Sequence, residues 1–196
     1  KAGGNPTVLL SDEAMNREFL RNASDDQVNW LDPTHTLYYD KADVYIRIGG
    51  GANTRSLSTI AGKRVQQVAA ARNPWLRTRL ERAAAGDFRW VGAWYPCESS
   101  AQEASLSLEE YADFVYSATF CDRQDPAAAW RELGQMQQAK VDYLKGKSQI
   151  VLKGPNIDLS LSIAGRDFIN CCGDKNMPDG EIFTGPVEES VNGWVQ

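Results

Sequence analysis

Two strand-like runs dominate the first half of the chain: residues 43–48, Asp-Val-Tyr-Ile-Arg-Ile, and residues 88–95, Phe-Arg-Trp-Val-Gly-Ala-Trp-Tyr. Most of the sequence between them, from 62 to 85, has helical character. A hairpin needs only a turn of a few residues, whereas parallel neighbours need a crossover of a dozen or more, usually a helix. The spacing therefore predicts a βαβ unit and a parallel sheet.

The rest of the chain continues that alternation. A short buried strand is expected at 7–10 and a helix from about 12 to 22. Pro74 should split the 62–85 helix in two, because proline removes a backbone donor and clashes with the preceding turn. Pro96 ends the strand at 88–95. Ser107 and Glu110 have the spacing of a capping box and open a helix towards 120. Asp125-Pro126 pairs an N-cap with a proline at the first helical position and starts a helix running to 146. Residues 148–153 and 158–163 form a strand pair, the second alternating as an edge hairpin does. The expected fold class is α/β, a mostly parallel sheet flanked by helices with an added antiparallel hairpin near the C-terminus. The boundary falls at 165–173, giving an α/β domain over 1–170 and an acidic turn region over 171–196.

With 196 residues, the chain is one ordinary domain, or a domain and part of another, and can bury a core without staples. Its net charge of −5 argues against nucleic acid as the main partner. No apolar run approaches the roughly eighteen residues of a membrane span, and no signal-like segment opens the chain. Cys97, Cys121, Cys171 and Cys172 form no CxxC pair, and adjacent Cys171 and Cys172 cannot make ordinary disulfide geometry with each other. Reduced thiols in a cytoplasmic protein are expected.

Several motifs fall short of a site. Gly49-Gly50-Gly51 follows a strand but is not GxGxxG, and no ribose-binding acid stands about twenty residues on. Gly146-Lys147-Ser148 resembles the end of a Walker A loop, yet Val141 occupies the place of its first glycine. His35, the only histidine, lies in a turn-like Pro-Thr-His-Thr and reads as a hydrogen-bonded or surface residue. Lys63, Arg64, Arg72, Arg77, Arg79 and Arg82 face Glu81 alone over 63–82. A solvated face, or pairing with acidic surface, is the plainer account than phosphate binding. The aromatics at 90, 94, 95, 111, 116, 130 and 143 have core-like spacing.

The acidic turn is different. Asp174, Asp179, Glu181, Glu188 and Glu189 face one lysine, Lys175, over residues 174–190, among glycines and prolines. Such a run forms ordered turns on which carboxylates can converge, which is hard-cation chemistry. A solvated acidic turn between strands is the other reading. In Pro178-Asp179-Gly180-Glu181 the turn presents Glu181 at the head of Ile182-Phe183, a geometry that suits a carboxylate directed into a cleft. One glutamate cannot hold a metal alone.

Four segments together resemble the thermophilic-type metallo-aminopeptidases, the aminopeptidase S and T group. They are residues 43–48, residues 101–104 with the helical 107–116, residues 158–166 with 169–170, and Asn176-Met177-Pro178-Asp179-Gly180-Glu181-Ile182-Phe183-Thr184-Gly185-Pro186-Val187-Glu188. The resemblance implies a two-domain peptidase that removes N-terminal residues from peptides, using a divalent metal pair, zinc or cobalt, to activate water. It maps a metal-ligating glutamate onto Glu181 and implies peptide substrates and a homodimer, with no nucleic acid or membrane partner. The family's remaining ligands are a second glutamate, two histidines, an aspartate and a tyrosine, all further towards its C-terminus. By that pattern the chain is an N-terminal domain without its catalytic domain, has no catalytic residue of its own, and is inactive alone. A non-enzymatic α/β binding or dimerisation domain is the competing expectation.

Overall fold

Asp12 begins the first helix, α1 (Glu13–Asn22), its carboxylate accepting the Met15 amide at 2.8 Å. The computed structural model describes residues 3–196. The segment expected as a strand at 7–10 is not one: it is irregular, with Val8 76% and Leu10 94% exposed. An apolar run forms a strand only where a neighbour completes its ladder, and here the tether is one bond from Tyr38 Oη to the Thr7 carbonyl, 2.9 Å.

The elements follow in the order α2 (Asp25–Asn29), α3 (Pro33–Lys41), β1 (Val44–Gly49), α4 (Gly62–Ala71), α5 (Asn73–Ala85) and β2 (Arg89–Trp94). Helices α4 and α5 break at Arg72, one residue before the Asn73-Pro74 start, as the proline predicts. After β2 come α6 (Glu98–Glu103), α7 (Leu108–Ala118) and α8 (Pro126–Leu144). The expected caps are in place: Ser107 and Glu110 bond reciprocally, and Asp125 accepts the Ala128 amide at 2.8 Å. The remaining strands are β3 (Gln149–Gly154), β4 (Ile157–Ser162), β5 (Ile169–Cys171), β6 (Asn176–Met177), β7 (Glu181–Phe183) and β8 (Asn192–Val195). A short 3-10 turn, Glu188–Ser190, precedes β8.

The fold is mixed α/β. Strands β1, β2 and β6 lie side by side in one sheet, and β2 runs parallel to β6 with Gly92 opposite Asn176. Near the C-terminus β3, β4 and β8 form an antiparallel sheet, and β5 pairs antiparallel with β7. The chain divides into two units: residues 1–90 with 95–111, and residues 91–94 with 112–196.

The first unit is centred on Leu20, Val28 and Val68, against which Phe19, Leu57 and Ile60 pack. Helix α3 lies on α5 through Trp75, which stacks on His35 at 5.2 Å and donates to Thr36 Oγ1 at 3.0 Å. His35 is thus a hydrogen-bonded structural histidine, but it sits in the first turn of a helix and not in a free turn. Its Nδ1 is 2.7 Å from the Asp32 carboxylate, and this bond, with that of the Thr34 amide, holds the Asp32 pKa below the carboxylate range.

Three of the six basic side chains of residues 63–82 are engaged inside this unit. Arg64 donates to the carbonyls of Leu20 and Ala23 and pairs with Asp25. Arg82 donates to the Tyr39 and Ala42 carbonyls, and Arg79 lies over the Trp90 ring at 5.0 Å. These three guanidiniums tie helices and strands together.

In the second unit Trp130 is buried on α8, its indole donating to the Thr119 carbonyl at 3.0 Å. The core-like spacing of the aromatics overstates their burial, since Tyr143 is 72% and Tyr95 60% exposed. Sequence period places a ring on a face, but packing decides whether that face is covered.

Candidate functional site

Helix α8 is the platform for the acidic turn. Gln137, itself 6% exposed, donates from Nε2 to the Cys171 carbonyl at 3.3 Å. Asn170 Nδ2 reaches back to the Gly134 carbonyl at 3.0 Å. A side chain at Gly134 would press on Cys172, whose Cβ lies 3.2 Å from the position a Cβ would take. The glycine inside α8 lets β5 approach the helix closely.

Strand β5 then positions β7. Cys171 stands opposite Glu181 in the register, and Ile169 opposite Phe183. Between the two strands the chain closes a loop whose neck is held twice. The Gly180 amide donates to the Cys171 carbonyl at 3.2 Å, and the Gly173 amide donates to the Asp179 carboxylate at 2.8 Å. Gly173 has φ +87° and any Cβ there would lie 3.0 Å from two carbons of the Trp130 ring. Gly180, at φ +117°, also needs glycine. The Met177–Pro178 bond is cis.

The five carboxylates of the turn do not converge. Asp174 pairs with Lys175 at 3.2 Å, Asp179 is half-buried on the Gly173 amide, and Glu188 pairs with Arg166 at 2.9 Å. A backbone hydrogen bond, followed by the Arg166 guanidinium, lowers the Glu188 pKa. Glu181 is exposed at the start of β7, and its carboxylate enters none of the ion pairs or side-chain hydrogen bonds of the described residues. Burial, then the charges of Asp179, Glu181 and Asp174, push the Cys171 thiol up, and burial with Asp174 and Asp179 does the same at Cys172.

A single open carboxylate fits one position in a metal site. Among the described residues no three or more His, Cys, Asp or Glu come together as a metal-holding group. Further donors would have to come from outside these residues.

Sequence reasoning missed the devices around Glu181. Asp179 is one of the five clustered carboxylates in the sequence, yet its side chain accepts from a main-chain amide. The interior glycine of α8 was the available signal for the close approach of β5. It also missed the environment of Cys97, which forms from residues far apart in the chain. The Gly51 amide donates to its sulfur at 3.4 Å, and Ser100 Oγ is 3.3 Å away. Burial raises this thiol, but the Ser100 and Ser99 hydroxyls and the Gly51 amide bring it down to about 7.

Comparison with known proteins adds a family. The profile described as thermophilic metalloprotease (M29) matches residues 1–196. Aminopeptidase T of Thermus aquaticus is 33% identical over 94 residues, which are 42% of this chain and 23% of that protein. Aminopeptidase AmpS of Bacillus subtilis (strain 168) is 28% identical over 117 residues, 54% of this chain and 28% of that one. In three dimensions, wild-type AmpT from Thermus thermophilus matches 95% of this chain with a TM-score of 0.71, at 22% identity. That likeness is one of fold, and the chain spans 51% of the solved structure.

Proposed function

Because the chain belongs to the thermophilic metalloprotease family M29, whose profile spans all of it, we propose that it is the N-terminal domain of a metal-dependent aminopeptidase. In this reading Glu181 supplies one metal ligand and peptides are the substrates. The observation that carries it is the division of labour in Pro178-Asp179-Gly180-Glu181, where Asp179 is tied to the Gly173 amide and Glu181 is left open on β7. The names of the relatives, aminopeptidases T and S, support the choice of reaction.

A divalent pair, zinc or cobalt, is the proposed cofactor, and when bound it polarises the scissile carbonyl and acidifies the attacking water. The role of this domain is narrower: it holds Glu181 on a short strand clamped to α8, so that the carboxylate stands in place before a metal arrives. No catalytic residue is proposed within the 196 residues, and alone they are proposed to be inactive. Among the described residues no helix is long and apolar enough to cross a membrane. Four free thiols support a reducing compartment, and the cytoplasm is proposed. The family resemblance supports a homodimer, which sedimentation would detect.

The test is hydrolysis of a chromogenic leucine amide with added Co²⁺ or Zn²⁺. It compares this chain with a protein extended to the full length of the relatives. Activity in the long protein alone is expected. Silence in both, with both folded and metal-replete, would favour a non-enzymatic binding or dimerisation domain instead.

A further inference from the structure

We infer that Asp179 is a positioning residue for Glu181: its carboxylate clasps the Gly173 amide and so sets the strand from which Glu181 projects. The inference rests on the reading of Glu181 as a metal ligand. Its own observations are geometric. The loop between β5 and β7 leaves at Cys171 and returns at Glu181, which stand opposite each other. Two bonds close its neck, and only one of them uses a side chain, the 2.8 Å bond from the Gly173 amide to Asp179 Oδ2.

Gly173 cannot easily be replaced as the partner, because its left-handed φ and the Trp130 ring at 3.0 Å exclude a side chain. The amide therefore points where Asp179 can accept it. Without that acceptor, the half-buried Gly173 amide would need water as its partner, and the Asp179-Gly180 corner would lose its side-chain tie to the chain leaving β5. Glu181 is two residues further on, so freedom at the corner becomes freedom in the ligand. Groups that orient a metal ligand are commonly worth about 10–100-fold in metal affinity.

A clasp and a ligand make different demands on chemistry. A clasp needs a neutral or charged oxygen that accepts from an amide, which asparagine retains. A ligand needs the negative charge, which asparagine lacks. The experiment uses Asp179→Asn, Asp179→Ala and Glu181→Gln, with two measurements. The first is hydrogen exchange of the Gly173 amide in this chain. The second is Zn²⁺ affinity, by competition with a chromophoric chelator, in the protein extended to the length of the relatives.

Asp179→Ala should speed Gly173 exchange at least about tenfold and weaken Zn²⁺ about 10–100-fold. Asp179→Asn should rescue both to within about threefold, which a residue needed for its charge would not allow. Glu181→Gln should leave Gly173 exchange unchanged and weaken Zn²⁺. Unchanged Zn²⁺ affinity in Glu181→Gln would remove the ligand reading while leaving the exchange result to stand alone. Equal loss of Zn²⁺ in the Asn and Ala variants would make Asp179 a ligand and overturn the inference. So would wild-type Zn²⁺ affinity in Asp179→Ala alongside a weakened Glu181→Gln. If Asp179→Ala does not fold, Asp179→Asn decides: loss as large as in Glu181→Gln overturns the clasp.

Discussion

At Cys97 the protons around one sulfur decide its chemistry. Ser99 Oγ donates to the Gly51 carbonyl at 2.6 Å and lies 3.5 Å from the thiol sulfur. The Ser100 and Ser99 hydroxyls and the Gly51 amide stabilise a thiolate and outweigh the burial that opposes it, giving a pKa of about 7. Alkylation of Cys97 should therefore reach half its maximal rate near pH 7. Ser100→Ala should move that midpoint upward, and further than Ser99→Ala does. A labelling profile centred on the ordinary thiol range in the unmodified chain would rule the arrangement out. Gly173 is the other decisive single residue. Gly173→Ala adds a Cβ at a left-handed φ and against the Trp130 ring, a combination that should cost about 1–3 kcal/mol. Urea denaturation measures it, and a loss below about 0.5 kcal/mol would mean that the loop relaxes freely.

Elements were legible where a breaker or cap marks them and obscure where only tertiary partners do. Pro74 announced the α4–α5 break, and the Ser107–Glu110 box and Asp125-Pro126 announced α7 and α8. Asp32-Pro33 carries the same N-cap and proline signal as Asp125-Pro126, with Asp32 accepting the Thr34 amide at 2.9 Å, yet α3 lacks an apolar stripe to reinforce it. Helix α6, Glu-Ser-Ser-Ala-Gln-Glu, has no apolar period at all and was unreadable. Glu181 was legible as the carboxylate of a tight turn, whereas the clamp beneath it was not. Its bonds join β5 to Gly134, Gln137 and Gln138 on α8, more than thirty residues away in sequence, and local pattern carries no record of such pairing. The caps are testable at this scale. Asp125→Ala removes the acceptor of the Ala128 amide and should destabilise the second unit by about 1 kcal/mol. The urea midpoint reports this, and Asp125→Ser should recover most of it, since serine also caps.

Across the whole molecule, chain order and spatial order part company at β2. Arg89 and Trp90 belong to the first unit, where the Arg89 amide donates to the Asp43 carbonyl at 2.9 Å. Residues 91–94 of the same strand belong to the second unit, where the Gly92 amide donates to the Lys175 carbonyl at 2.7 Å. Among the described residues strand β6 has its ladder partners in Gly92 and Ala93, and it lies inside the loop that ends at Glu181. The second unit is therefore incomplete as a continuous piece of sequence. A fragment of residues 112–196 keeps α8, the antiparallel sheet and both neck bonds of the loop, but it leaves β6 without its neighbour. A two-residue strand cannot sustain itself, because the ladder supplies its backbone bonds. Amide exchange should consequently rise over 175–177 in that fragment while α8 stays protected in its middle turns. Adding a synthetic peptide of residues 88–95 should restore part of the protection. Equal protection over 175–177 in the fragment and the full chain would show that α8 and β5 alone hold the loop, and that β2 contributes nothing to the presentation of Glu181.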